Sequence, residues 1–342
     1  LNVRERQRAE INPMQYGTIV HYILERFFGE YTKEDYLSLE EDKFQKIVCA
    51  YLTEYAVKYF GEEQLESNSF TYRLKTILDN VMYLMKHIME ELSQSEFFVA
   101  DCELKIGEDI PSYTIVLPDG HKIAVCGSVD RVDIMQRADI TYLRIIDYKT
   151  GTKQFKLSDI LYGINLQMLL YLHSIETSGG DKYGEIVPAG ILYMPATVPY
   201  ISSDSLKSID KLPDELNKKL KMNGLLLKDT EIIHGMDKTD VATYIPVKIK
   251  AGEPVSSTSL ATLAEFGKIF KKVDMLIAEM GKNIYNGNIE AKPLKGGHDS
   301  CEYCPYDSVC AYRQSNPITC FAVDNKTVIE EITNEINGKE EE

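Results

Sequence analysis

Two short runs carry residues that could do chemistry together: Gly127-Ser128-Val129-Asp130-Arg131 and Ile145-Ile146-Asp147-Tyr148-Lys149-Thr150-Gly151. Residues two apart on a strand share a face, so Asp147 and Lys149 point the same way. The connection between the runs, Gln136 to Asp139, is short and polar, which suits an antiparallel hairpin that brings Asp130 towards Asp147. The register stays open at this point. Two carboxylates and an ammonium converging between apolar strands are costly unless they hold something, and a divalent cation is the simplest occupant. Mg2+ or Mn2+ prefers carboxylate oxygens and keeps water ligands. Such an ion lowers the pKa of a bound water and neutralises charge on a phosphate, while a lysine ammonium orients the attacking water. A solitary D-x-K is more often an ordinary ion pair on a solvated strand edge. The paired G-x-V-D-R and the apolar lead-in to D-Y-K-T-G favour the metal site.

The elements that must position these groups follow from periodicity. Ile19, Val20, Ile23, Leu24, Phe27 and Phe28 recur at helical spacing, and the pattern repeats from Phe44 to Phe60 and from Tyr72 to Leu92. Strands are predicted over 97–106, 113–117, 122–135 and 141–150, with a turn at Pro118-Asp119-Gly120. Ser158 is the expected N-cap of a helix running to about Thr177 and ended by Gly179-Gly180. Another apolar strand is predicted over 186–194, and a long amphipathic helix over 260–285. The expected organisation is a helical part (1–95), an α/β core (96–195), an insertion (196–257), a long helix with a Cys-rich segment (258–315) and a tail (316–342) that ends in charged residues and is expected to be disordered.

In order and spacing, Gly17-Thr18-Ile19-Val20-His21, Asp130, Asp147-Tyr148-Lys149, and Gln167 with Tyr171 resemble the motifs of RecB-like PD-(D/E)XK nucleases. The resemblance implies a restriction-endonuclease-like mixed sheet flanked by helices. It assigns His21, Asp130, Asp147 and the backbone carbonyl of Tyr148 to the metal, and Lys149 to catalysis with Asp130 and Asp147. Glu103 sits where the family often has a further acidic residue. Gln167 and Tyr171 are four apart on one helix face and can reach one site together. Lys153 and Lys156 extend the basic stretch; phosphate contact and a solvated loop are both open for them.

Cys301-x2-Cys304-x5-Cys310 is a thiolate triplet suited to an iron–sulfur cluster or to zinc, with His298 available for a Cys3His zinc site and Cys320 as a further candidate. The triplet after the nuclease motifs is similar to the B subunits of AddAB-type helicase–nucleases, and this resemblance spans essentially the whole chain. It implies a [4Fe–4S] cluster closed by a Cys upstream of the G-x-x-x-H helix, an AddA-like helicase–nuclease partner, and DNA exonuclease activity in double-strand-break repair and recombination. No Cys precedes Cys49, and the opening Leu1-Asn2-Val3-Arg4-Glu5-Arg6 lacks a Met, so a longer parent supplying that ligand is expected. CRISPR-associated RecB-like nucleases are the nearest competing family. A catalytically inactive, cluster-stapled DNA-binding module is the alternative of another class; intact Asp130, Asp147 and Lys149 speak against it.

Composition sets the bounds. With 342 residues the chain can bury a large core. No apolar run approaches the ~20 residues of a membrane-spanning helix. Seven cysteines, an odd number, do not read as a secreted disulfide framework, so a reducing cytoplasm is expected. A net charge of −15 excludes a protein that coats nucleic acid non-specifically but leaves room for a local cutting site. No G-x-x-x-x-G-K-[ST] phosphate loop occurs, so any ATP-driven motor lies outside this chain.

Overall fold

The stripe Ile19, Val20, Ile23, Leu24 and Phe27 is wholly buried, which holds Pro13–Glu30 as the helix α1. Asn12 fixes where α1 begins: its side chain accepts from the Gln15 N–H, and the Gln15 side chain accepts from the Asn12 N–H. Helices α2 (Glu41–Phe60) and α3 (Asn68–Ser93) pack with α1 as the N-terminal helical part. The computed structural model of the chain describes residues 11–151, 153–199, 212–254, 258–310 and 317–340. The opening segment 1–10 and part of the expected insertion lie outside the described residues.

Beyond α3 the chain turns to strands: β1 (Phe98–Ile106), a hairpin of β2 (Tyr113–Val116) and β3 (Lys122–Val125), β4 (Gly127–Arg137), β5 (Ile140–Lys149), β6 (Glu185–Pro195), β7 (Asn223–Leu227) and the short β8 (Leu260–Ala261). Six of them form one mixed sheet in the order β1-β4-β5-β6-β7-β8. The β5/β6 and β7/β8 pairs are parallel and the others antiparallel. Helix α4 (Gln167–Ser178) packs on β5 and β6 and against α5 (Leu263–Tyr285). The molecule is therefore α/β, a mixed sheet flanked by helices, as expected.

Four expectations need correction or refinement. The predicted strand 122–135 is divided at Cys126, where the hairpin ends and β4 begins. The predicted helix from Ser158 is two pieces: a 3-10 turn, Leu157–Tyr162, and then α4. Gly163 (φ +68) and Asn165 (φ +54) take left-handed conformations that no continuous helix tolerates, and they force the break. The segment read as an insertion contributes β7 to the main sheet, where Gly224 lies so close to β6 that an added Cβ would fall 2.0 Å from the Ile191 carbonyl oxygen. The tail expected to be disordered contains helix α6 (Asn325–Glu340), because Val328, Ile332 and Ile336 recur every four residues and bury one stripe beside α5. Among the described residues no helix is long and apolar enough to cross a membrane.

The feature that positions the chemistry is a fork in the sheet. β4 and β5 pair from Arg137↔Ile140 up to Arg131↔Ile146. Past that rung β4 stays with β1 as far as Ile106↔Gly127, and β5 stays with β6 as far as Lys149↔Pro195. Asp130 and Asp147 are the first residues on the two diverging arms. Just behind the fork, Glu91, Arg131, Asp133 and Arg144 form a fully buried group of four charges.

Candidate active site

Where a ladder partner is lost, a side chain takes over: Asp130 Oδ2 accepts from the Tyr148 N–H at 2.9 Å. His21, on α1, places Nε2 3.7 Å from the same oxygen and Nδ1 3.1 Å from Glu103 Oε1. Ser128 Oγ donates to Glu103 Oε2 at 3.0 Å. One ligand atom from each of His21, Glu103 and Asp130 falls within 4.8 Å of the others, a group able to hold a metal ion. Glu103 stands across from Asp130, between the rungs Cys102↔Arg131 and Leu104↔Val129. It sits at φ +51, a left-handed conformation that costs a non-glycine residue about 1–2 kcal/mol. Strain of this kind concentrates at functional sites.

Asp147 lies on the other arm. It is buried, and its Oδ2 is held by the Lys149 ammonium in a close ion pair. Asp147 stays outside the group of three whose ligand atoms lie within 4.8 Å, although its charge acts on His21 and Asp130; that group's two carboxylates and one imidazole fit a hard divalent cation. Lys149 Nζ also stands 5.6 Å from the centre of the Tyr193 ring, and Lys153 Nζ shares that ring at 5.1 Å. The Lys153 loop is held by Asn223, whose Oδ1 accepts from the Phe155 N–H and whose Nδ2 donates to the Lys153 carbonyl. Burial and the neighbouring Lys149 charge lower the pKa of Lys153.

Charges in the cluster shift one another. Burial, with Asp147 and Glu103 adding repulsion against the His21 attraction, pushes the Asp130 carboxyl up to about 6. The hydrogen bond with His21 holds Glu103 below the usual carboxylate range, against its burial. Burial alone would lower His21, but Glu103, Asp130 and Asp147 together raise it. The apo cluster is thus short of positive charge.

Tyr171 packs over Gly127, beside Ser128, where an added Cβ would meet its hydroxyl at 2.1 Å. Gln167 is exposed on the first turn of α4. The cavity of about 690 Å³ in front of His21, Glu103 and Tyr148 is lined by neither of them, nor by Asp130, Asp147 or Lys149. Lys156 lines a different cavity together with His298. Cys301, Cys304 and Cys310 lie together in the segment after α5, the first two half-buried and the third exposed. Cys320 is buried, on a short strand paired with 294–296. Among the described residues the three thiols do not form a group within 4.8 Å of one another.

The profile of the PD-(D/E)XK nuclease superfamily matches residues 1–311. The chain belongs to this superfamily. It is similar to proteins named as the B subunit of an ATP-dependent helicase/deoxyribonuclease. The one from Thermoanaerobacter sp. (strain X514) is 34% identical over 324 residues, covering 91% of this chain and 28% of that protein. Those of Ruminiclostridium cellulolyticum and Clostridium kluyveri are 32% and 33% identical, covering 99% and 100% of this chain and 30% and 31% of theirs. The chain thus spans about three-tenths of the length of these relatives. For a PD-(D/E)XK nuclease, the fork supplies what D-x-K spacing alone does not. It frees Asp130 from the β4–β5 ladder to accept from the Tyr148 N–H, while Asp147 stays paired with β6. Ser128, Asn223 and the Tyr148 N–H were not anticipated as part of the site; only a polar residue within an apolar strand hinted at Ser128.

Proposed function

We propose that this chain hydrolyses DNA phosphodiesters with a divalent cation, Mg2+ or Mn2+, held by His21, Asp130, Asp147 and Glu103, with the Tyr148 carbonyl as a further ligand. The observation that supports this reading is the fork, where the convergent His21–Glu103–Asp130 group and the buried Asp147–Lys149 ion pair stand on its two arms. When bound, the ion supplies a Lewis acid for the phosphate and a more acidic water. The Tyr148 N–H holds Asp130 in its rotamer, and Ser128 holds Glu103. Asp147 holds the Lys149 ammonium where it can orient the attacking water and stabilise charge on the phosphoryl oxygens. Lys153 adds a second positive charge on the same side.

In this reading the chain is the nuclease part of a helicase–nuclease B subunit. It acts as an exonuclease on a strand unwound by an AddA-like partner, in double-strand-break repair and recombination in the cytoplasm. Cys301, Cys304 and Cys310 contribute three thiolates to a [4Fe–4S] cluster whose fourth ligand lies outside the triplet. The deciding assay is cleavage of single-stranded DNA with Mg2+ by wild type and by Asp147→Ala and Lys149→Ala. Each variant is expected to lose at least about 10²–10³-fold in rate. Near-normal cutting by either one returns the inactive DNA-binding module to the front.

Metal affinity should depend on pH with a known sign. Asp130 must be deprotonated to ligate, so titration calorimetry is expected to show affinity levelling off above its value of about 6. Below that value affinity should fall by about tenfold per pH unit, more if His21 takes up a second proton. Affinity flat from pH 5 to 8 would remove Asp130 from the ligand set.

A further inference from the structure

The cavity in front of the cluster has an aromatic wall that the proposed ligand set does not use. Tyr22 follows His21 on α1, and Tyr55 and Tyr59 are four apart on the facing side of α2, so the three rings meet. The Tyr22 and Tyr55 centroids are 5.2 Å apart, and the Tyr55 and Tyr59 centroids 4.4 Å. All three rings line the same cavity as His21 and Glu103. Tyr55 is buried, whereas Tyr59 is 55% exposed. On the opposite lip Met14 is 81% exposed. Tyr22 and Tyr55 are held by core packing, and it is Tyr59 and Met14, left open beside a charged cluster, that packing does not account for.

We infer that the Tyr22–Tyr55–Tyr59 wall is a base-stacking subsite that receives an unpaired base of the strand whose phosphate lies at the His21–Glu103–Asp130 cluster. The inference rests on the nuclease reading for the identity of the strand. The ring faces argue for a base here. The lip carries Glu25, and the Tyr22 hydroxyl donates to Glu54 at 2.7 Å. Both acids have a cation near them, Lys105 for Glu25 and Arg26 at 3.7 Å for Glu54, so the choice falls to the rings, whose faces accept any base irrespective of charge. A further cation is Lys58, whose ammonium stands 5.1 Å from the Tyr59 ring centre and 5.9 Å from that of Tyr22. Lys58 is exposed on a flexible stem. An incoming base displaces it from the ring, and its ammonium then has a phosphate oxygen within reach.

The chemistry also sets the substrate class. In a duplex the base faces are stacked on one another and cannot reach a protein ring, so the wall takes a single strand or a frayed end. Because stacking is indifferent to base identity, the subsite secures the strand without reading sequence. Tyr59 is thereby a positioning residue, acting on substrate affinity more than on the chemical step.

The test uses an oligothymidylate carrying one 2-aminopurine, whose fluorescence falls on stacking, with calcium replacing magnesium so that binding is read without cleavage. Tyr59→Ala should raise Kd by about tenfold, within the ~1–3 kcal/mol that one stacked base contributes, and should abolish the quench. Tyr59→Phe keeps the ring and should match wild type, as should Tyr72→Ala, an exposed tyrosine outside the cavity. With magnesium, Tyr59→Ala should raise KM and leave kcat largely intact on a single strand. Equal Kd and equal quench for Tyr59→Ala and wild type overturn the stacking assignment, as does a wild type that binds no single strand. If wild type binds and quenches, Tyr59→Ala binds about tenfold more weakly without the quench, and no metal supports cleavage, then the stacking subsite stands and the nuclease reading fails.

Discussion

Asp130→Asn is expected to give a protein that no longer cleaves DNA and yet is harder to unfold near pH 8. The two effects have one cause. Burial beside Asp147 and Glu103 raises the Asp130 carboxyl from an ordinary 3.8 to about 6. The apo fold therefore holds that proton more tightly than the unfolded chain does. A raised carboxylate contributes a stability that is present at low pH and is lost as pH rises from about 4 to about 6. Above that window the charged form of this buried group destabilises the metal-free fold by roughly 3 kcal/mol. Asparagine removes the charge, and its oxygen can still accept from the Tyr148 N–H. The gain is trimmed because His21 loses an attractive neighbour. Thermal melts in EDTA should show a higher midpoint for the variant at pH 8, shrinking towards zero near pH 4. Cleavage should fall by ~10³ or more, since a ligand and the ion's charge are lost together. Identical midpoints at pH 8 would show that neither burial nor the neighbouring carboxylates penalise the charged Asp130.

The chemistry-bearing pairs were readable from sequence because they lie on strands whose period is two, so Asp147 and Lys149 had to share a face. A short polar connection also had to make β4 and β5 a hairpin. The fork was not readable. It arises where β4 follows β1 and β5 follows β6, and pairing with third and fourth strands leaves no mark on the residues at the branch. Glu103 looked like a commonplace surface acid; its left-handed backbone and its place opposite Asp130 exist only once β1 is in register. Tyr22, Tyr55 and Tyr59 read as ordinary helix residues, because two helices must cross before their rings can meet.

The fold shows the same division. Helices with a strong apolar stripe, such as α1 and α5, were recoverable from one segment at a time. The helix expected from Ser158 failed because Gly163 and Asn165, each tolerable singly, together reverse the backbone. The tail failed because its last residues are charged, and that charge masked Val328, Ile332 and Ile336 just upstream.

Asp133→Ala is expected to cost the fold more than any comparable change on its surface. Arg131 and Arg144 lie on neighbouring strands with their side chains at zero exposure, as are those of Asp133 and Glu91. Asp133 accepts from Arg131 Nε and Nη2, both at 2.6 Å, and from Arg144 Nε at 3.0 Å and Nη2 at 2.8 Å. Glu91 takes one further bond from each guanidinium, at 3.2 and 2.6 Å. Burial would raise the Asp133 carboxyl, but the two guanidiniums override it and hold it below the usual carboxylate range. The rings of Phe28 and Phe97 lie against Arg131 and Arg144 and keep water out. Intact, the group sums to zero charge. Without Asp133, two buried cations face one anion, and an uncompensated buried charge typically costs about 3–5 kcal/mol. Against a net stability of roughly 5–15 kcal/mol, that is enough to lower the urea midpoint steeply. Arg131 is the rung before Asp130, so whatever fraction stays folded should also bind metal more weakly, through a loosened fork. Glu330→Ala serves as the comparison, because its pair with Lys326 is exposed and screened by water. If Asp133→Ala unfolds at the same urea concentration as Glu330→Ala, water reaches the guanidiniums and the fork is held by β-pairing alone.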